Sequence, residues 1–226
     1  PISDVIVEYR LYLAMTGFAI CIAALLVRYV RDARALAAAV AVVAALLGSL
    51  TLARNRVWAN ELSLWQDAVR KSPGKARAHV NLGYAYLQEG DYHDALEQNR
   101  IALRIEPTSY LAWYNMALAY SMTGKYRESV DCYERDIANG DPNPYLALCN
   151  LGITYDKLGQ VEKAIDYFHR ALLIKPDFLN SHYNLALAYI EKGDFEAARR
   201  EIDTIRRLGY ASSAAELDAD LRSKGH

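Results

Sequence analysis

Apolar and polar positions change their rhythm along the chain. From Leu11 to Val27 seventeen residues pass without a charge, and from Ala35 to Ala53 another nineteen do, with nothing more polar than Gly48, Ser49 and Thr51. At about 1.5 Å per residue these runs reach roughly 25–28 Å, close to the hydrocarbon thickness of a bilayer. Each is expected to form a transmembrane helix, at about 11–27 and 35–53, the two making a hairpin within residues 1–57. Two such runs back to back are hard to bury in so small a chain, which argues against soluble core helices.

From Arg54 the composition turns polar, and Trp58, Leu62, Leu64, Trp65 and Val69 mark an amphipathic helix that stops at Ser72-Pro73-Gly74. Residues 58–75 are expected to form a half repeat that links the hairpin to a repeat array. In that array one phrase is written four times: Asn81-Leu82-Gly83, Asn115-Met116-Ala117, Asn150-Leu151-Gly152 and Asn184-Leu185-Ala186. The repeats begin at Ala76, Tyr110, Tyr145 and Leu179, at intervals of 34, 35 and 34 residues, the period of a helix-turn-helix solenoid. This predicts repeats at 76–109, 110–144, 145–178 and 179–212, then a capping helix within 213–226 that uses Leu217 and Leu221 to cover the last apolar face.

Gly90, Gly124, Gly159 and Gly193 are expected to end the first helix of each pair, where a left-handed conformation costs glycine least. Gly83, Ala117, Gly152 and Ala186 sit where paired helices approach and only small residues fit. The longer elbow at Asn139–Pro144 is expected to kink the stack. The fold class predicted is all-α: two transmembrane helices, an α-solenoid of about four and a half helix-turn-helix repeats, and a C-terminal cap.

The third repeat, with Leu148, Leu151, Gly152, Tyr155, Ala164, Phe168, Ala171 and Pro176, resembles the tetratricopeptide pattern most fully, and the other three share its Tyr, Gly and small positions. Glu8-Tyr9-Arg10-Leu11-Tyr12-Leu13, Gly17-Phe18, Arg54-Asn55-Arg56, Trp58, Glu61 and Ser72-Pro73 extend the likeness. With them the chain is similar to the C-terminal part of transmembrane and tetratricopeptide-repeat protein O-mannosyltransferases. It departs from that group at Ala14, where those proteins usually carry Pro. The resemblance implies repeats facing the lumen or periplasm and a catalytic polytopic portion that has no counterpart in these residues.

Charge narrows the partners. With 26 Lys and Arg against 27 Asp and Glu, the net charge of -1 supplies no basic stripe for nucleic acid. Arg28, Arg31 and Arg34 are concentrated between the two apolar runs; by the positive-inside rule that loop is cytoplasmic and the repeats lie on the extracytoplasmic side. Cys21, Cys132 and Cys149 lack metal or redox spacing. Cys132 and Cys149 fall on neighbouring helices, either as buried thiols or as a disulfide in an oxidising compartment. His79, His93, His169, His182 and His226 have no ligand spacing, and no nucleophile or phosphate-loop motif occurs. No catalytic residue, metal or cofactor is expected in this chain.

What remains is a binding face. Residues three, four and seven apart share one side of a helix, which groups Asn81 with Arg77, Tyr84 and Gln88, and Asn115 with Leu111, Leu118 and Met122. Asn150 then falls with Leu146, Ile153 and Lys157, and Asn184 with Asn180, Leu187 and Glu191. Amides both donate and accept, so such a column suits the backbone of an extended peptide. The expected groove residues are Asn81, Tyr84, Tyr114, Asn115, Leu118, Asn150, Ile153, Tyr183, Asn184 and Leu187. Arg77 and Lys157 are too few for a carboxylate clamp. The expected partner is a protein or extended peptide, held by a membrane-anchored scaffold or adaptor, with other subunits of a membrane complex alongside. The resemblance adds the alternative of a substrate-presenting region of a membrane glycosyltransferase.

Overall fold

The computed structural model describes Leu25, Arg28, residues 32–57 and residues 60–224, with residues 53–57 described for their backbone. Among these residues it contains eleven helices and falls into two compact units, Pro1–Asn60 and Glu61–His226.

In the first unit α1 spans Ala33–Val57. Asp32 starts it, its carboxylate accepting the backbone N–H of Arg34 at 3.2 Å and of Ala35 at 3.3 Å. The hydroxyls of Ser49 and Thr51 donate to the carbonyls of Leu46 and Leu47, both at 2.8 Å, so the polar atoms in the apolar run are satisfied within the helix. Ala33–Leu52 is long and apolar enough to cross a membrane, and Val42, Leu46, Leu50 and Leu52 are each more than half exposed. It is the one such helix among the described residues. The other expected span, 11–27, and Trp58 lie outside the described residues apart from Leu25.

The second unit begins with α2 (Glu61–Lys71), which packs on α3 as a half repeat should. Four antiparallel pairs follow: α3 (Ala76–Gln88) with α4 (Tyr92–Ile105), α5 (Tyr110–Met122) with α6 (Tyr126–Ala138), α7 (Pro144–Lys157) with α8 (Val161–Ile174), and α9 (Leu179–Lys192) with α10 (Phe195–Arg207). The last helix, α11 (Ala211–Lys224), buries Ala214, Leu217 and Leu221 against α9 and α10. It starts two residues before the expected boundary at 213.

Each first helix ends at a glycine in the left-handed region, with φ of 79° at Gly90, 74° at Gly124, 71° at Gly159 and 79° at Gly193. Close approach explains the small residues inside the pairs. A Cβ at Gly152 would lie 2.6 Å from the Phe168 ring, and one at Gly83 would overlap the Asn99 side chain. Cys132 and Cys149 are free and buried; burial pushes the Cys132 thiol up to about 12 and raises that of Cys149.

Successive first helices touch along one side of the stack, α3 with α5, α7 with α9 and α9 with α11, and the second helices do not touch one another in the same way. The first helices therefore line the inner, concave side. Contact between α5 and α7 is much weaker than between the other first helices. Here the elbow intervenes, with Gly140 at φ 83° and Pro144 at the first position of α7.

Candidate functional site

Sequence periodicity puts all ten expected groove residues on first helices, but the structure gives them different tasks. Tyr84 is 44% exposed, and Asn81, Leu118, Ile153, Tyr183 and Leu187 are half-buried. Leu111, Met122 and Leu146, at 47%, 65% and 37% exposure, continue the apolar surface of the same helices.

The asparagines divide. Asn115 is only 4% exposed, and its Nδ2 donates to the Val80 carbonyl at 3.2 Å and to Asn99 Oδ1 at 3.3 Å. Asn99 is fully buried and donates in turn to the Ala95 carbonyl at 2.8 Å, so Asn115 ties the second repeat to the first. Asn150 is half-buried and donates to the Tyr114 hydroxyl at 3.0 Å, crossing from α7 to α5. Asn184 donates to the Asn180 carbonyl at 2.7 Å on its own helix.

Tyr114 packs edge-on against Tyr133, ring centroids 5.8 Å apart. Burial raises its pKa, partly offset by the Asn150 hydrogen bond. Burial also raises the pKa of Tyr183, assisted by Glu216. Both phenols are therefore neutral hydrogen-bonding groups at physiological pH.

Ile153, Asn184 and Leu187 come together on a cavity of about 200 Å³ between α7 and α9. Asp156, Phe168, Ala188, Glu191 and Lys224 complete its wall. The amide face is thus flanked by carboxylates at this end. Glu191 was grouped with Asn184 and Leu187 by its spacing, and Asp156 follows Ile153 by three residues, so helical spacing was the available signal for it too. Phe168 and Lys224 belong to helices outside the column and carried no such signal. Among the described residues no group of three or more His, Cys, Asp or Glu could hold a metal ion.

Tetratricopeptide-repeat family models match residues 62–110, 101–131, 145–178 and 179–203. The tetratricopeptide repeat and J domain-containing co-chaperone DNJ1 of Cryptococcus neoformans var. grubii is 26% identical over 131 residues, 58% of this chain and 18% of that protein. The protein O-mannosyl-transferase Tmtc3 of Drosophila melanogaster is 26% identical over 138 residues, 59% of this chain and 15% of its own length. The chain thus spans less than a fifth of either relative. Among solved structures, MamA superposes with a TM-score of 0.55 at 25% identity, covering 72% of this chain and 89% of that one.

Proposed function

We propose, for a chain that belongs to the tetratricopeptide-repeat family, that the concave side of α3, α5, α7 and α9 holds an extended polypeptide while α1 tethers the scaffold to a membrane. The observation that carries the reading is apolar surface left open on that side. Tyr84, Leu111, Met122 and Leu146 stay between 37% and 65% exposed, interleaved with the amides of Asn81, Asn150 and Asn184. Contiguous exposed apolar surface with polar groups among it marks an interaction site. Asn115, turned inward, positions the face without meeting the guest.

A benzophenone side chain introduced at Ile153 should crosslink to a random-sequence peptide library, and the same group at Leu173, 83% exposed on α8, should not. Equal labelling at both positions, or labelling at neither, defeats the reading. The membrane tether rests on Ala33–Leu52. It predicts that the full chain stays in the pellet after alkaline carbonate extraction. The concentration of Arg28, Arg31 and Arg34 around the start of that helix supports an extracytoplasmic position for the repeats, which thiol labelling of a surface cysteine in intact cells would test.

The 138-residue match to Tmtc3 favours a second reading, in which these repeats present substrate polypeptide to a membrane glycosyltransferase. The gene's full reading frame tests it. A polytopic segment with acidic loops upstream of Pro1 is required, and its absence ends this reading.

A further inference from the structure

Asp136 stands at the seam between the second and third repeats. At the spacing of the array its counterparts are Ala102, Ala171 and Ile205, all fully buried and apolar. Asp136 is buried as deeply, yet neither carboxylate oxygen has a hydrogen-bond partner. The ionisable groups around it are Tyr133 on its own helix, Tyr114 on α5 and Asp141 in the elbow, with Cys149 of α7 beside the two tyrosines. None of these is a cation. Its place in the last turn of α6 also sets it at the negative end of that helix. Burial first, then the charge of Asp141, push its pKa up to about 7.

The chain just after Asp136 is built to give way. The turns from α4 to α5 and from α8 to α9 are each closed by a backbone bond, the Ser109 N–H donating to the Glu106 carbonyl and the Phe178 N–H to the Lys175 carbonyl, both at 3.1 Å. At the elbow the corresponding N–H, that of Asn143, donates instead to the Asp141 carboxylate at 2.8 Å. Gly140 takes a φ of 83°, and Gly140, Pro142 and Asn143 are exposed. The flanking first helices, α5 and α7, touch less than the other neighbouring first helices do. An ionised carboxylate without a partner is too costly to keep dry, and water reaches Asp136 most cheaply by displacing this elbow. We propose that the elbow between α6 and α7 is a proton-operated hinge: a protonated Asp136 keeps the second and third repeats stacked, and its ionisation opens the last turn of α6 and the elbow to water. Because α5 and α7 both line the concave side, the hinge sets the curvature of that face.

Hydrogen–deuterium exchange of the full chain in detergent, corrected for the chemical exchange rate at each pH, reads the opening directly. Protection of residues 134–147 should fall about tenfold between pH 6 and pH 8.5, the ratio expected for a carboxyl that titrates near 4 in water and near 7 in the closed form. Over the same range α10 should keep its protection. Asp136→Asn, close in shape but unable to ionise, should hold the elbow's protection constant. Should that variant not fold, Asp136→Ala installs the residue of the first and third repeats and makes the same prediction. An equal loss of protection in α10 means that Asp136 tunes overall stability without a hinge, and overturns the proposal. Elbow protection that ignores pH, or a fall that persists in the variants, overturns it as well. No peptide enters the measurement, so these outcomes leave the groove reading where it stands.

Discussion

His182 Nδ1 lies 2.7 Å from Glu201 Oε2, while its Nε2 lies 2.8 Å from the Pro176 carbonyl oxygen. Both neighbours accept, so the ring must carry both protons to satisfy them. The first repeat builds the same arrangement with an amide in place of the carboxylate, His79 lying 2.9 Å from both Gln98 Oε1 and the Pro73 carbonyl. In the second, Trp113 donates its indole N–H to the Pro107 carbonyl at 3.2 Å. One position in each of these three repeats thus staples a first helix to the turn before it.

The Glu201 hydrogen bond raises the His182 pKa, with burial opposing it. A histidine whose folded pKa is raised contributes stability in full below its unfolded pKa, about 6.5, and loses it as pH rises through the folded value. Glu201→Gln copies the His79–Gln98 pair. Urea unfolding of residues 61–226 should show this variant losing less stability than the parent as pH rises from 6 to 9. Parallel pH profiles would mean that the pair stays neutral in the fold.

Asp136 is fully buried, and neither of its carboxylate oxygens has a hydrogen-bond partner. Burial, helped by the negative charge of Asp141, raises its pKa to about 7. Here the folded state holds the proton more tightly than the unfolded chain, so stability falls as pH climbs from about 4 to about 7 and then levels. Asp136→Ala should remove that slope and gain about 1–3 kcal/mol at pH 8, the cost of an uncompensated buried polar group. A destabilised variant in denaturant titrations would show that the carboxyl has a partner in solution.

Gly152 and Phe168 form a pair whose counterparts in the fourth repeat are Ala186 and Ile202, both buried in one cluster. Gly152→Ala drives its methyl into a ring that is 1% exposed and should cost about 1–3 kcal/mol. Adding Phe168→Ile recreates the fourth repeat's pairing. The double variant should be at least about 1 kcal/mol more stable than the two separate losses predict. Strict additivity in a double-mutant cycle would refute the steric account.

The repeat period, the helix-ending glycines and the small residues at helix approaches were legible because they are local demands that recur at a fixed interval. Gly90 must adopt a positive φ whatever surrounds it. Hydrogen-bond partners were not legible. Asn115 and Asn184 occupy the same place in the pattern, yet one reaches Val80, thirty-five residues away, and the other Asn180 on its own helix. Which occurs depends on how closely the preceding repeat packs, and on Asn99 standing where Phe168 stands two repeats later. Of the carboxylates on the α7–α9 cavity, Glu191 shares the side of Asn184 by its spacing, whereas Asp156 lies beyond Asn150 toward the far end of α7 and escapes the amide pattern.

That division of the asparagines is open to a direct contrast. Asn115→Ala leaves the Val80 carbonyl and Asn99 Oδ1 without their donor in the core, and should cost about 1–3 kcal/mol of stability with little change in peptide affinity. Asn150→Ala removes a half-buried donor beside Tyr114 on the open face. It should weaken binding of an extended peptide held in the groove by about 0.5–1.5 kcal/mol and lower the thermal midpoint far less than Asn115→Ala does. Thermal melts and anisotropy on both variants separate the two tasks. If Asn150→Ala proves the more destabilising, its bond to Tyr114 is what closes the weak junction between α5 and α7, and the amide belongs to the scaffold. If instead Asn115→Ala abolishes binding while the fold keeps its midpoint, the inward amide must turn out to meet the guest, and the groove is deeper than the face drawn through Tyr84 and Leu118.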